Sequence, residues 1–201
     1  MKKSTFVLGV IVLLLVSCKT YYFENPQPSH TKELKSFPNE LIGTYFELKA
    51  DTIAHVNEDP FVISKDSYHY KTNDSAIKDM KKDGSIEHGK VVLKKFHKYY
   101  VLSQKIENPL ENSADSIWEV YVMKYKDERL VIYSMIYSED NGSDKKLESK
   151  LLSDSIRAIL PVIEQKAGND TLFLINPSKN QFKKLLEKNL FRKVLEFKKE
   201  K

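Results

Sequence analysis

The sequence predicts an α+β fold: an antiparallel β-meander, or a partly closed barrel-like sheet, with C-terminal helices packed on it. Three observations predict it. Short strand-patterned runs separated by turn residues follow one another from Leu41 to Tyr137. Apolar residues at three- and four-residue steps come only after them, and the strongest strands carry bulky side chains on both faces. The composition agrees, with 201 residues of which 41% are apolar, 11% aromatic and 30% charged. That is too apolar for a disordered chain and too short for two ordinary domains. With 6 Gly and 7 Pro, collagen-like and low-complexity classes are excluded, and a single Cys excludes a disulfide framework or a multi-cysteine metal site.

In chain order, residues 1–17 stand outside the fold. Met1-Lys2-Lys3 is a basic start, and Phe6 to Val16 is an unbroken run of eleven residues, apolar but for Gly9. A spanning helix needs about 20 apolar residues, so the run is too short for one and suits the core of an export signal. Leu15-Val16-Ser17-Cys18 then resembles the lipobox of bacterial lipoproteins, with all four positions fitting. The resemblance implies cleavage between Ser17 and Cys18, a diacylglycerol thioether on Cys18, and attachment of the chain to a membrane through its N-terminal lipid. Each buried methylene contributes about 0.8 kcal/mol, and two or more chains make a stable anchor. Lys19, at the next position, resembles lipoproteins sorted to an outer membrane. The alternative is a secreted protein with a chance Cys after its signal.

Residues 18–38 read as a lipid-anchored tether, since Pro26, Pro28 and Pro38 interrupt any helix and no periodic apolar face is present. Tyr21-Tyr22-Phe23 suits either the headgroup layer or the surface of the domain. Residues 39–201 are expected to be a single β-rich domain. Leu41 to Leu48 opens it, and Phe61-Val62-Ile63 and Tyr68-His69-Tyr70 flank a turn at residues 64–67. Asp83-Gly84 is a tight turn. Val91 to Leu93 and Tyr99 to Ile106 continue across a polar His97-Lys98 step. Ile117 to Tyr125 and Arg129 to Tyr137 form the clearest hairpin, across residues 126–128.

In that hairpin Trp118, Val120 and Val122 share one face, and Tyr121, Met123 and Tyr125 the other. Neither is polar, so the sheet is covered on both sides or curls around an interior. Leu147, Leu151, Leu152, Ile156, Ile159, Leu160 and Ile163 predict a helix with Pro161 at a kink or end. Thr171 to Ile175 is a short strand. Ser178 and Gln181 have the spacing of a capping box for a helix carrying Phe182, Leu185 and Leu186. Residues 190–197 fit a final strand or a continued helix.

Few residues carry a pattern that points to chemistry. His30, His55, His69, His88 and His97 show no paired spacing and no HExxH pattern. Ser143-Asp144-Lys145-Lys146 matches SxxK but lies in a polar Asn-Gly loop, and no GxSxG or phosphate loop occurs. The acid pairs Glu58-Asp59, Asp127-Glu128 and Glu139-Asp140 lie in turn-like segments. No catalytic residue, metal site or cofactor is assigned. Formal charge is +5, falling to +3 once Lys2 and Lys3 are removed, and residues 179–201 alone carry nine Lys/Arg against three Glu. In an exported protein that basic end suits solvent, anionic lipid or an envelope polymer, and no nucleic acid is expected.

Gly43-Thr44-Tyr45, at the head of the first strand, is similar to the G-x-W start of lipocalin-type barrels, with Tyr where that family has Trp. This short resemblance implies an interior for a small apolar ligand, against the plainer reading of an aromatic-filled core built from Tyr45, Trp118, Tyr121 and Tyr133. The functional expectation is a cell-envelope lipoprotein with a non-enzymatic binding or interaction domain, with an envelope protein as a possible partner. A lipocalin-like binder of lipid or another small molecule is the alternative, and an envelope hydrolase the third reading.

Overall fold

In this computed structural model, residues 18–48, 60–70, 90–108, 116–138, 143–167 and 170–200 are described. Thirteen strands form a mostly antiparallel sheet that curls into a half-barrel, with two helices among the described residues. The α+β expectation is thus met in coarse form, with strands dominating.

The strands are β1 (Cys18–Phe23), β2 (Glu33–Leu34), β3 (Gly43–Glu47), β4 (Phe61–Ile63), β5 (Tyr68–Tyr70), β6 (Val91–Phe96) and β7 (Tyr99–Glu107). Then come β8 (Ser116–Lys126), β9 (Arg129–Ser134), β10 (Ile136–Ser138), helix α1 (Ser143–Arg157), β11 (Val162–Ala167), β12 (Asp170–Ile175), helix α2 (Lys179–Glu187) and β13 (Arg192–Lys199).

Strand β8 is the hub. Its pairing with β7 runs from Ser116↔Glu107 to Met123↔Tyr100. Phe23 of β1 pairs with Trp118, and β9 pairs from Val122 onward. The sheet then continues from β9 through β13, β3, β4 and β5, and on the other side from β1 through β12 to β11. The β8–β9 hairpin turns at Asp127 and Glu128, both with positive φ (52° and 61°), the twist that two-residue hairpins favour.

Alternation along these strands divides the core. Tyr21, Phe23, Val101, Val120, Val122 and Phe173 face the two helices, where Leu152 and Ile156 of α1 and Phe182 and Leu185 of α2 cover them. Leu102, Met123, Leu130, Ile132 and Phe197 face the other way, onto Tyr45, Phe61 and Ile63. The sheet curls around an interior on one face, and the two helices cover the other face alone. The capping box forms at α2, the Ser178 hydroxyl accepting from the Gln181 amide and the Gln181 side chain accepting from the Ser178 amide.

Four expectations are corrected. The segment 18–38 is no tether: β1 is a paired strand between β12 and β8, parallel to β12 with Phe23↔Ile175 in register, and Tyr21 and Phe23 are buried. Burial of these rings outweighs the polar and Pro-rich surroundings that suggested a linker, and Phe37 further on is buried too. Ile163 belongs to β11 rather than to the helix, because α1 ends at Arg157 and Pro161 bars its continuation. Ser143 to Lys146 is the first turn of α1 rather than loop. Met135 separates β9 from β10 where one strand was expected. Residues 192–199 settle as strand β13 after Asn189 takes φ 54°, which ends the helical path. The Asp83-Gly84 turn lies outside the described residues.

Candidate ligand-binding site

The concave face of the half-barrel holds a cavity of about 180 Å³. Register explains how it is made. Leu102 and Gln104 of β7 stand opposite Tyr121 and Glu119 of β8, and Met123 stands opposite Ile132 of β9, which in turn faces Leu195 of β13. The β4–β5 hairpin closes over them with Phe61, Ile63 and Tyr68. Its turn is fixed by the Ser64 and Ser67 hydroxyls at 2.7 Å and tied to the preceding loop by the Phe37 amide, which donates to the Lys65 carbonyl at 2.8 Å. Phe37 and Phe61 pack on Tyr68 at ring separations of 6.3 and 5.9 Å, and Phe61 stacks on Phe197 at 5.2 Å.

The walls are apolar, and two hydrogen bonds lie at their polar end. Tyr68 donates to Gln104 Oε1 at 2.8 Å, and Tyr121 donates to Glu119 Oε2 at 2.8 Å. Burial pushes the Tyr121 hydroxyl well above the usual phenol range, and the charge of Glu119 pushes it further, with smaller contributions from Tyr68 and Tyr22. Tyr121 therefore stays protonated and keeps its hydrogen bond to Glu119. A cavity of about 150 Å³ lined by apolar side chains takes up benzene, so this one has room for about six to eight non-hydrogen atoms.

Gly43-Thr44-Tyr45 lies at one end of this interior. Tyr45 is fully buried, 6.5 Å from the Phe61 ring, and donates to the Leu41 carbonyl at 2.7 Å. Burial, then the neighbouring Tyr125, raises its pKa far above the ordinary phenol value. Gly43 has φ 155°, a backbone conformation that residues with a side chain rarely adopt, and this favours glycine there. Trp118 and Tyr133 pack on the helix-covered face, so only Tyr121 of the aromatic candidates in this hairpin reaches the cavity wall.

The other sequence candidates do not converge. Cys18 opens β1 opposite Ser138, while Ser17 lies outside the described residues. His30, His69 and His97 are exposed on separate elements, and His55 and His88 lie outside the described residues, as do Glu58-Asp59 and Glu139-Asp140. Among the described residues no group of His, Cys, Asp and Glu could hold a metal ion. Asp127-Glu128 is the exposed β8–β9 turn. A second, open groove of about 380 Å³ runs between the β6–β7 turn and α2, with Phe96, Tyr99 and Leu186 at its floor and Lys98, Lys183 and Glu187 around it.

Sequence reasoning missed Glu119, Gln104 and Tyr68. The signal for Glu119 was present: it is the one acid within Ile117 to Tyr125 and falls on the face shared by Tyr121 and Met123. Its pairing with Gln104 is a cross-strand fact that no single strand displays. The sequence matches no protein-family model and no curated protein, and the fold matches no solved structure.

Proposed function

We propose that this chain is a lipid-anchored protein of a bacterial cell envelope, most simply the outer membrane, whose domain is a non-enzymatic binding module for a small, mainly apolar ligand. The observation that carries the binding reading is the cavity of about 180 Å³ with apolar walls on the concave face of the sheet. Its size and its polar end distinguish it from the helix-covered face, where the same kind of residues close into a packed core. Curling of the sheet, rather than full barrel closure, supports the lipocalin-like reading in its general form. The anchor is supported by the apolar run 6–16 followed by the lipobox at residues 15–18. No described helix is long and apolar enough to cross a membrane.

Two measurements test the proposal. Cys18→Ala abolishes incorporation of a palmitate analogue and leaves the precursor uncut; undiminished labelling contradicts the anchor. Calorimetric titration of the full-length protein in lipid nanodiscs with hexanol, a probe of the right size, gives saturable binding that Leu195→Trp removes by filling the cavity. Binding that survives Leu195→Trp contradicts the site.

A further inference from the structure

We propose that the outer edge of β11 is a self-association surface, on which a second copy of this chain pairs β11 to β11, antiparallel, across a two-fold axis at Gln165. The inference is independent of the concave pocket, whose walls come from other strands.

Strand β11 stands at one end of the sheet order, and among the described residues β12 is its only strand partner, from Val162↔Ile175 to Ala167↔Asp170. Along its outer edge, alternate backbone N–H and C=O groups point away from β12 and form a template for another strand. The strand at the opposite end, β5, has three residues, whereas β11 has six and offers a longer edge. Ile163 is 50% exposed on this edge, although Leu174, opposite it on the same face, is buried. An added strand would cover that apolar side chain.

Charge selects both the occupant and the register. A two-fold axis perpendicular to the sheet keeps each side chain on its own face, so one residue must stand opposite its own copy. An axis at Gln165 overlaps residues 163–167 of the two strands, and one at Glu164 overlaps residues 162–166. Any other axis overlaps no more than 162–164 or 165–167. At Glu164 two carboxylates face each other, which is destabilising. At Gln165 an amide faces its copy, Glu164 faces the second copy's Lys166, and Lys166 faces the second copy's Glu164. Both charge pairs are then attractive. Glu164 meets Arg157 of α1 through Oε1, and a carboxylate has a second oxygen to offer a lysine. The contact is isologous and uses up the edge of each copy, so it closes as a dimer rather than growing into a fibre.

Sedimentation equilibrium of the full-length protein in density-matched detergent micelles tests this. The mass should rise from one chain to two with concentration. Glu164→Lys, and separately Lys166→Glu, should weaken self-association about tenfold or more, since each turns two attractive pairs into repulsive ones. An equimolar mixture of the two variants should associate again, because their charges complement each other. Both positions are exposed, so these variants keep the fold. Gln165→Cys should form a disulfide-linked dimer on oxidation by diamide, its Cα lying about 4.5–5.5 Å from its copy. Ile163→Cys, about 13 Å along the strand from its own copy, should not, and the unaltered protein serves as the reference for Cys18. A single chain at every concentration overturns the proposal, as does association that survives both charge reversals or a mixture that stays monomeric. Cross-linking through Ile163→Cys as complete as through Gln165→Cys overturns it too.

Discussion

Lys94 lies on β6 with 5% exposure, and its ammonium group donates to the carbonyls of Pro26 and Pro28 at 3.1 Å each. Those two bonds clasp the chain after β1 against the sheet, next to the Gln27 amide, which donates to the Ser103 hydroxyl at 3.0 Å. Burial lowers the Lys94 pKa, with Glu33 opposing it in part. Lys94→Met keeps the stem but leaves two carbonyls without their donor, so it should cost about 1–3 kcal/mol in urea denaturation. An unchanged midpoint would show that the clasp contributes nothing. Tyr45 and Tyr121 give a pH prediction. Both have folded-state pKa values raised above the unfolded value of about 10, chiefly by burial, so the folded state keeps protons that the unfolded chain loses. Their contribution is fully present below pH of about 10 and is lost as pH rises above it. Urea midpoints should therefore be steady up to about pH 10 and fall as the pH rises beyond it. Tyr45→Phe with Tyr121→Phe should flatten that fall, and an equally steep fall in the double variant would place its origin elsewhere.

Strand β1 is where the structure departs furthest from what the residues suggested. Its residues 21–23 are paired in parallel with β12, a partner about 150 residues away in sequence, and a parallel pairing at that distance leaves no local signature. The adjoining Pro26 and Pro28 rightly excluded a helix but are compatible with a chain lying extended on a sheet. The consequence is testable. A chain beginning at residue 39 lacks Tyr21, Phe23 and Phe37, all buried, and loss of each such ring costs about 3–5 kcal/mol. Their sum is on the order of the whole stability of a domain. That fragment should show no cooperative unfolding transition, and a sharp transition would restore the linker reading. Where elements rested on local signals, the sequence was readable. The β8–β9 hairpin followed from alternation, the β4–β5 turn from its Ser-Lys-Asp-Ser spacing, and α2 from the Ser178–Gln181 box. Ser178→Ala should cost about 1 kcal/mol by removing the N-cap, measured by thermal or urea unfolding. The cavity was legible only in part: two-sided aromatic strands announced an interior, but Tyr68 and Gln104 meet through cross-strand placement that periodicity cannot supply.

At the scale of the whole molecule, the absence of a linker gives the anchor a geometric consequence. Cys18 is the first residue of β1 and Phe23, five residues on, pairs with Trp118, the single Trp of the chain. Five strand residues reach about 17 Å, so an acylated Cys18 would hold the domain directly against the bilayer. Energy transfer from Trp118 to a dansyl-labelled lipid in vesicles should be strong, and inserting a long Gly/Ser spacer after Cys18 should weaken it. Transfer unaffected by the spacer would contradict a close seat. The account turns, however, on the concave pocket. Its most direct test is methyl NMR of the full-length protein in nanodiscs, with Ile, Leu and Val labelled and hexanol titrated. Shifts concentrated on Ile63, Leu102, Ile132 and Leu195 are predicted, whereas shifts centred on Ile156 and Leu185 beneath the helices, or none at all, would contradict it.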